Sequence, residues 1–232
     1  MIAGLARPSA LRLVRTPRSL LAPGAWCVLA LGFALAARWR GAVHGADHVL
    51  VDAYAPLILP LLVYTLVGAV LGTRSLAASA APLVAFGASP ARTALAIVGV
   101  ALAASVIAGG LLGALLAFVA HGAGDPPAAR DALASAYACA LGSAAYAGWF
   151  ALGATLGKRG GGRPLLLVVD WVLGLGRGVM ALATPRAHLR NLLGGPSPMD
   201  WSGRSSAAAL VVLTAVCVLL GARRARAQRP PS

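Results

Sequence analysis

Apolar positions in this chain run together in long blocks separated by short polar or arginine-bearing stretches, without the two- or four-residue rhythm of a half-buried strand or surface helix. A block of about 20 apolar residues is what an α-helix needs to cross a bilayer core roughly 30 Å thick. Six such blocks are predicted as spans, over residues 20–37, 55–72, 94–120, 132–157, 164–184 and 206–221. Pro56 and Pro60 fall near the start of the second, where few helical hydrogen bonds are lost. The third is long enough that it must tilt or protrude. The fourth is rich in Ala, Gly and Ser, so its backbone can come close to its neighbours. The pairs Gly68 and Gly72, and Gly109 and Gly113, also predict close helix approach, either along moving interfaces or as static packing within one subunit.

The connectors carry the polar residues. Residues 1–19 set Arg7, Arg12, Arg15 and Arg18 among Leu5, Leu11, Leu13 and Val14, which predicts a basic amphipathic helix at the headgroup level or, alternatively, a disordered basic tail. Because this stretch precedes the first block and Ala34-Leu35-Ala36 resembles a cleavage signal, the block also has the makings of a signal peptide. Its length, and Arg38 and Trp39 close behind it, favour a retained span. Residues 38–54 are expected as a polar loop, and 73–93 as a small-residue connector long enough for a short helix. Gly124-Asp125-Pro126-Pro127 is a turn sequence, residues 158–163 form a tight basic glycine loop, and 185–205 a polar connector with Trp201 at an interfacial position. The fold class expected is all-α, a polytopic bundle of about six transmembrane helices. It divides into an N-terminal interfacial segment (1–19), a transmembrane domain (20–221) and a basic cytoplasmic tail (222–232).

Composition agrees with lipid as the main solvent: 59% of residues are hydrophobic, only 11% are charged, and the mean hydropathy is +0.81. The net charge of +14 is spread over the ends of the apolar blocks instead of one face, which argues for membrane orientation and against nucleic acid as a partner. With the N-terminus inside, thirteen basic residues lie on the side shared by both termini and six on the other. Both ends are therefore expected in the cytoplasm, with the chain in the plasma (inner) membrane. Cys27, Cys139 and Cys217 all sit inside apolar blocks without metal-type spacing, and read as small buried or lipid-facing residues.

Most catalytic chemistries are excluded by what is missing. The sequence has no glutamate, so a His-Glu-x-x-His zinc protease helix cannot exist. The stretch from Gly153 to Arg159 resembles a phosphate loop but is one residue short and lacks the Ser or Thr that holds magnesium. All four histidines fall in or beside connectors, and Asp170 is the only acidic residue inside a block. No enzyme activity is expected. Asp170 and Arg177, seven apart in the fifth block, would share a helical face. That face either lines an internal interface or translocation path, or the two side chains sit near helix ends, capped and reaching headgroups. His44, His48 and Asp52 are spaced by four, with Asp47 close by. They would align as candidate metal ligands if the loop were helical, and otherwise form a solvated polar loop.

The most specific stretch is Leu83-Val84-Ala85-Phe86-Gly87-Ala88-Ser89-Pro90-Ala91-Arg92-Thr93-Ala94-Leu95. It is similar to the pattern of apolar helix, Ser-Pro turn and arginine opening the third span in the permease subunits of type-2 ABC transporters. The layout of the whole chain resembles the same exporter superfamily: a basic start, a cytoplasmic loop between the second and third spans, a short basic loop between the fourth and fifth, and a long outer connector before the last. The resemblance implies a permease without its own ATPase. Its 73–93 loop would couple to a separate ABC-type ATPase subunit through Arg74, Ser75, Leu76, Ser89, Pro90 and Arg92. It also implies pairing with a second permease copy or a homologous permease, membrane lipid as surroundings, no cofactor in this chain, and ATP and Mg in the partner. The segment differs from the family pattern in having no acidic residue. The competing expectation is a non-transporting membrane scaffold or assembly factor.

Overall fold

A computed structural model describes residues 2–15, 17–72, 74–157 and 160–227, without the side chains of residues 2, 3, 12, 14, 15, 17 and 18. Lys158, Arg159, Arg229 and the side chains of Arg12, Arg15 and Arg18 therefore lie outside the described residues. The fold is helical, 83% by residue, with no strand among the described residues, as continuous apolar blocks dictate when every backbone N–H must be satisfied within its own segment.

The basic start forms α1 (Ile2–Arg15), followed by α2 (Pro17–Trp39). A short α3 (Gly45–His48) leads into a π-helical stretch, Val49–Ile58, and then α4 (Leu59–Leu71). Next come α5 (Leu76–Ala85), α6 (Pro90–Ala120) and α7 (Ala128–Gly153). The last part holds α8 (Gly162–Leu173), a 3-10 turn at Val179–Ala183, α9 (Pro185–Leu192), a second 3-10 turn at Pro198–Asp200, and α10 (Gly203–Ala227).

Among the described residues, four stretches are long and apolar enough to cross a membrane: Ser19–Trp39, Gly45–Ala85, which holds α3 to α5 with α4 ending at Leu71, Pro90–Ala120 and Gly203–Ala227. α7, 26 residues long, falls outside that set because Gly, Ser, Tyr and Trp dilute its alanines. The outside of the bundle carries many large apolar side chains. Ile107, Leu111, Leu115 and Phe118 make an exposed stripe on α6, and Val212, Val216 and Leu219 make one on α10. Inside, α6 and α7 form the main packing pair, with α10 against α7 and α4 against both α6 and α7; α1 lies on α6 and α4. Tyr54 Oη donates to the Gly109 carbonyl at 3.1 Å, which joins the π-helical stretch to α6.

Two expectations change. The loop expected over 38–54 is helical from Gly45 onward, because Asp125, far away in sequence, supplies the acceptor that starts α3: Ala46 N donates to its Oδ2 at 3.0 Å. The fifth block is not one helix, since α8 stops at Leu173 and the chain turns at Gly174. A Cβ on Gly174 would meet the Asp170 carbonyl at 2.5 Å and Arg186 Cβ at 2.8 Å, so only glycine allows the chain to fold back there.

Candidate functional site

Polar side chains collect at three places, the two ends of the bundle and one buried point between them. At the end where α4 stops, Gly72 has φ 73°, and its carbonyl accepts from Arg163 Nη2 at 2.9 Å. Ser75 caps α5 by accepting from Ala78 N at 3.2 Å, and Ser79 Oγ donates back to the Leu71 carbonyl at 2.8 Å. Leu76 N donates to the Ala154 carbonyl at 3.1 Å, fixing α5 to the end of α7. Of the six residues expected to couple to an ATPase, Leu76 is fully buried and Ser75 is spent on the cap, so these two anchor the segment. Arg74, Ser89 and Arg92 are exposed, and Pro90 occupies the first turn of α6. Phe86 was not singled out from the sequence, yet it is 91% exposed at the tip between α5 and α6.

Between the ends lies Asp170, which is 0% exposed. Its Oδ2 accepts from Tyr146 Oη at 2.9 Å and its Oδ1 from the Arg186 backbone N–H at 3.1 Å, at the start of α9. Tyr146 stacks on Phe150 with ring centroids 5.9 Å apart, and Phe150 meets the edge of Tyr64 at 5.4 Å. Asp170 thus ties α8 to α7 and α9. Arg177 does not share its face: it is exposed in the bend after α8, because the helix that would have aligned them ends at Leu173. An open cleft of about 400 Å³ beside this point is lined by Asp52, Pro56, Leu57, Trp171, Leu175 and Arg186.

The connector before α10 is held by a second buried group. His188 Nε2 donates to the Leu182 carbonyl at 2.9 Å, leaving Nδ1 to accept from Ser206 Oγ at 3.2 Å. Asn191 Nδ2 donates to the same Ser206 oxygen at 2.9 Å and to the Trp201 carbonyl at 2.9 Å.

At the opposite end, where Arg38 Nη1 donates to the Val119 carbonyl at 3.3 Å, the connector after α2 lies on the connector after α6. Asp125 joins them, its Oδ2 accepting from Gly122 N at 2.7 Å as well as from Ala46 N. The metal candidates taken from sequence, His44, His48 and Asp52, are split. His48 Nδ1 pairs with Asp52 Oδ2 at 3.2 Å, while His44 Nδ1 lies 4.0 Å from Asp47 Oδ2 and 3.9 Å from Asp125 Oδ1. His121 and Asp131 close on Asp125 from the other side. Burial pushes the Asp131 carboxyl above the usual range, Asp125 and Asp47 add to the rise, and His121 and a hydrogen bond with the Ser135 side chain oppose it. No family model, curated protein or solved structure matches this chain.

Proposed function

We propose that this chain is the membrane permease subunit of an ATP-driven transporter of the ABC type, working as an exporter with a separate ATPase subunit. The observation that carries the reading is the α5 segment. It is a short helix braced against the bundle by Ser79, Leu76 and Arg163, and it presents Arg74, Phe86, Ser89 and Arg92 outward. A braced helix with an exposed aromatic and two exposed guanidinium groups has the chemistry of a docking point, where aromatic and arginine anchors carry most of the binding energy. Force delivered there would pass into α4, α6 and α7, which pack on one another.

In this reading the chain threads the inner membrane six times, with both termini in the cytoplasm and α1 at the headgroup level. The excess of arginine on the terminal side supports that orientation. The length of α7 supports a further crossing beyond the four most apolar stretches. With only 12 residues, about 18 Å at the helical rise, α8 would cross together with the turn and α9 that follow it. A homodimer, or a pair with a homologous permease, completes the transporter, and ATP and Mg belong to the partner subunit.

The test is extraction in mild detergent from the native membrane, followed by measurement of ATP hydrolysis in the purified material. Hydrolysis that accompanies the chain should drop roughly tenfold or more in a Phe86→Ala, Arg92→Ala double variant, as expected for two anchor residues. A Pro90→Ala change should act in the same direction by loosening the first turn of α6. Absence of any accompanying ATPase would leave the non-transporting scaffold as the better account.

A further inference from the structure

Acidic residues are scarce in this chain, which makes their placement informative. Four of its six aspartates and three of its four histidines sit at the end of the bundle built from the 38–58 and 121–131 segments. His44, Asp47 and Asp125 bring one donor atom each within 4.8 Å of one another, and so do His121, Asp125 and Asp131. Ion-pair spacing alone does not define a site. What sets this group apart is that each of its inner members carries one buried polar atom without a hydrogen-bond partner. The Asp125 side chain is 0% exposed, its Oδ2 is used by two backbone N–H groups, and its Oδ1 has no hydrogen-bond partner. Asp131 Oδ2 and His121 Nδ1 are likewise buried without a partner. Buried polar atoms are nearly always satisfied, and three neighbouring exceptions of this chemistry call for a cation.

The surroundings are shaped to hold the donors in place. His44 has φ 56°, in the left-handed region, which lays its ring on the backbone of Gly124. A Cβ on Gly124 would come within 2.5–2.9 Å of three imidazole ring atoms, so glycine is needed beneath it. A cavity of about 170 Å³ lined by Asp47, Asp131 and Ser135 lies beside the group. Zinc ligands at about 2.0–2.2 Å from the metal stand roughly 3.3–3.6 Å apart in a tetrahedron. The separations of 3.9 and 4.0 Å around His44 Nδ1 are a few tenths of an ångström wider, within reach of small side-chain rotations.

We propose that this end of the bundle binds one divalent transition-metal ion, of the zinc class, through His44, Asp47 and Asp125, with His121 and Asp131 facing the same Asp125 from the inner side. Imidazole nitrogen mixed with carboxylate oxygen selects such ions over calcium or magnesium, which prefer all-oxygen shells. The ion would clamp the connector after α2 to the connector after α6.

The experiment is titration of the purified full chain, freed of metal by chelator, with Zn²⁺ and separately with Mg²⁺, read by calorimetry and by the shift in thermal midpoint. One Zn²⁺ per chain, a raised midpoint and no comparable response to Mg²⁺ are expected. His44→Ala and Asp47→Ala should each weaken Zn²⁺ binding by more than about tenfold. Both side chains are 53% exposed, so these variants fold without the ion. His48→Ala, which changes only the neighbouring His48 and Asp52 pair, should leave binding unchanged. No stoichiometric Zn²⁺, equal response to Mg²⁺, or loss of binding in His48→Ala with none in His44→Ala would overturn the proposal.

Discussion

Asp170→Ala is expected to lower the stability of the folded chain in detergent by about 2–5 kcal/mol and to open the connector between α8 and α10 to protease. The substitution strands two buried donors, Tyr146 Oη and the Arg186 backbone N–H. An unanswered buried donor costs about 1–3 kcal/mol. Part of this is offset because the carboxylate no longer has to be buried. Asp170→Asn keeps one acceptor oxygen in place and should lose less, while Tyr146→Phe removes a single donor and should lose least. The order Ala, Asn, then the Tyr146 variant, in thermal midpoints and in protease sensitivity of the 174–202 segment, is the signature of a structural tie between α8, α7 and α9. If Asp170→Ala melted with the parent protein while changing transport alone, Asp170 would belong to the translocation path.

That tie marks the boundary between what the sequence made legible and what it did not. The apolar blocks at 20–37, 94–120 and 206–221 correspond to α2, α6 and α10, since a run of apolar residues with no breaker has few alternatives to a helix. The fifth block has similar hydropathy but carries Gly174, Gly176 and Gly178. Hydropathy measures transfer to an apolar medium and not continuity of a helix, so the fold-back at Gly174 and the separation of Arg177 from Asp170 were hidden. Of the histidines, spacing by four paired His48 with Asp52 as found, but it also joined His44 to His48, whereas His44 faces Asp47 and, across two connectors, Asp125. Asp125 read only as part of a turn, because nothing local says that its carboxylate will reach Ala46 N and face His44 once the opposite connector is in place. Phe86 was hidden for a related reason, since nothing local says which apolar residue of a short helix will lack a neighbour.

Gly113→Val is expected to be more damaging than a substitution at Gly109 or Gly68, and comparison with Gly68 shows why four-residue spacing is not enough to foresee it. A Cβ at Gly113 would sit 2.6 Å from Cys139 Sγ, 2.8 Å from Cys139 Cβ and 3.1 Å from the Ser135 carbonyl. The first two can be removed by substitution, but the carbonyl belongs to the α7 backbone, so α6 and α7, the main packing pair, must move apart. Overpacking of a tight core costs about 1–3 kcal/mol, and a branched side chain against fixed backbone belongs at or above the top of that range. Gly109 is as crowded, its Cβ position overlapping Ser143 Oγ with Ser143 Cβ and Leu59 Cδ1 both at 3.0 Å, but these contacts are all to side chains and none to backbone. Gly109→Ala should therefore lose less than Gly113→Ala. Gly68 meets only Arg163 Nη1, at 3.7 Å, and Gly68→Ala should be close to neutral. Cys139→Gly combined with Gly113→Ala should recover part of the loss, because it clears the sulfur and leaves only the carbonyl contact. Both glycines of the α6 pair pack within one chain, so these changes should appear in the stability of the isolated subunit. Were Gly113→Val to leave that stability intact and impair only pairing between copies, α6 would face a partner subunit instead of its own α7.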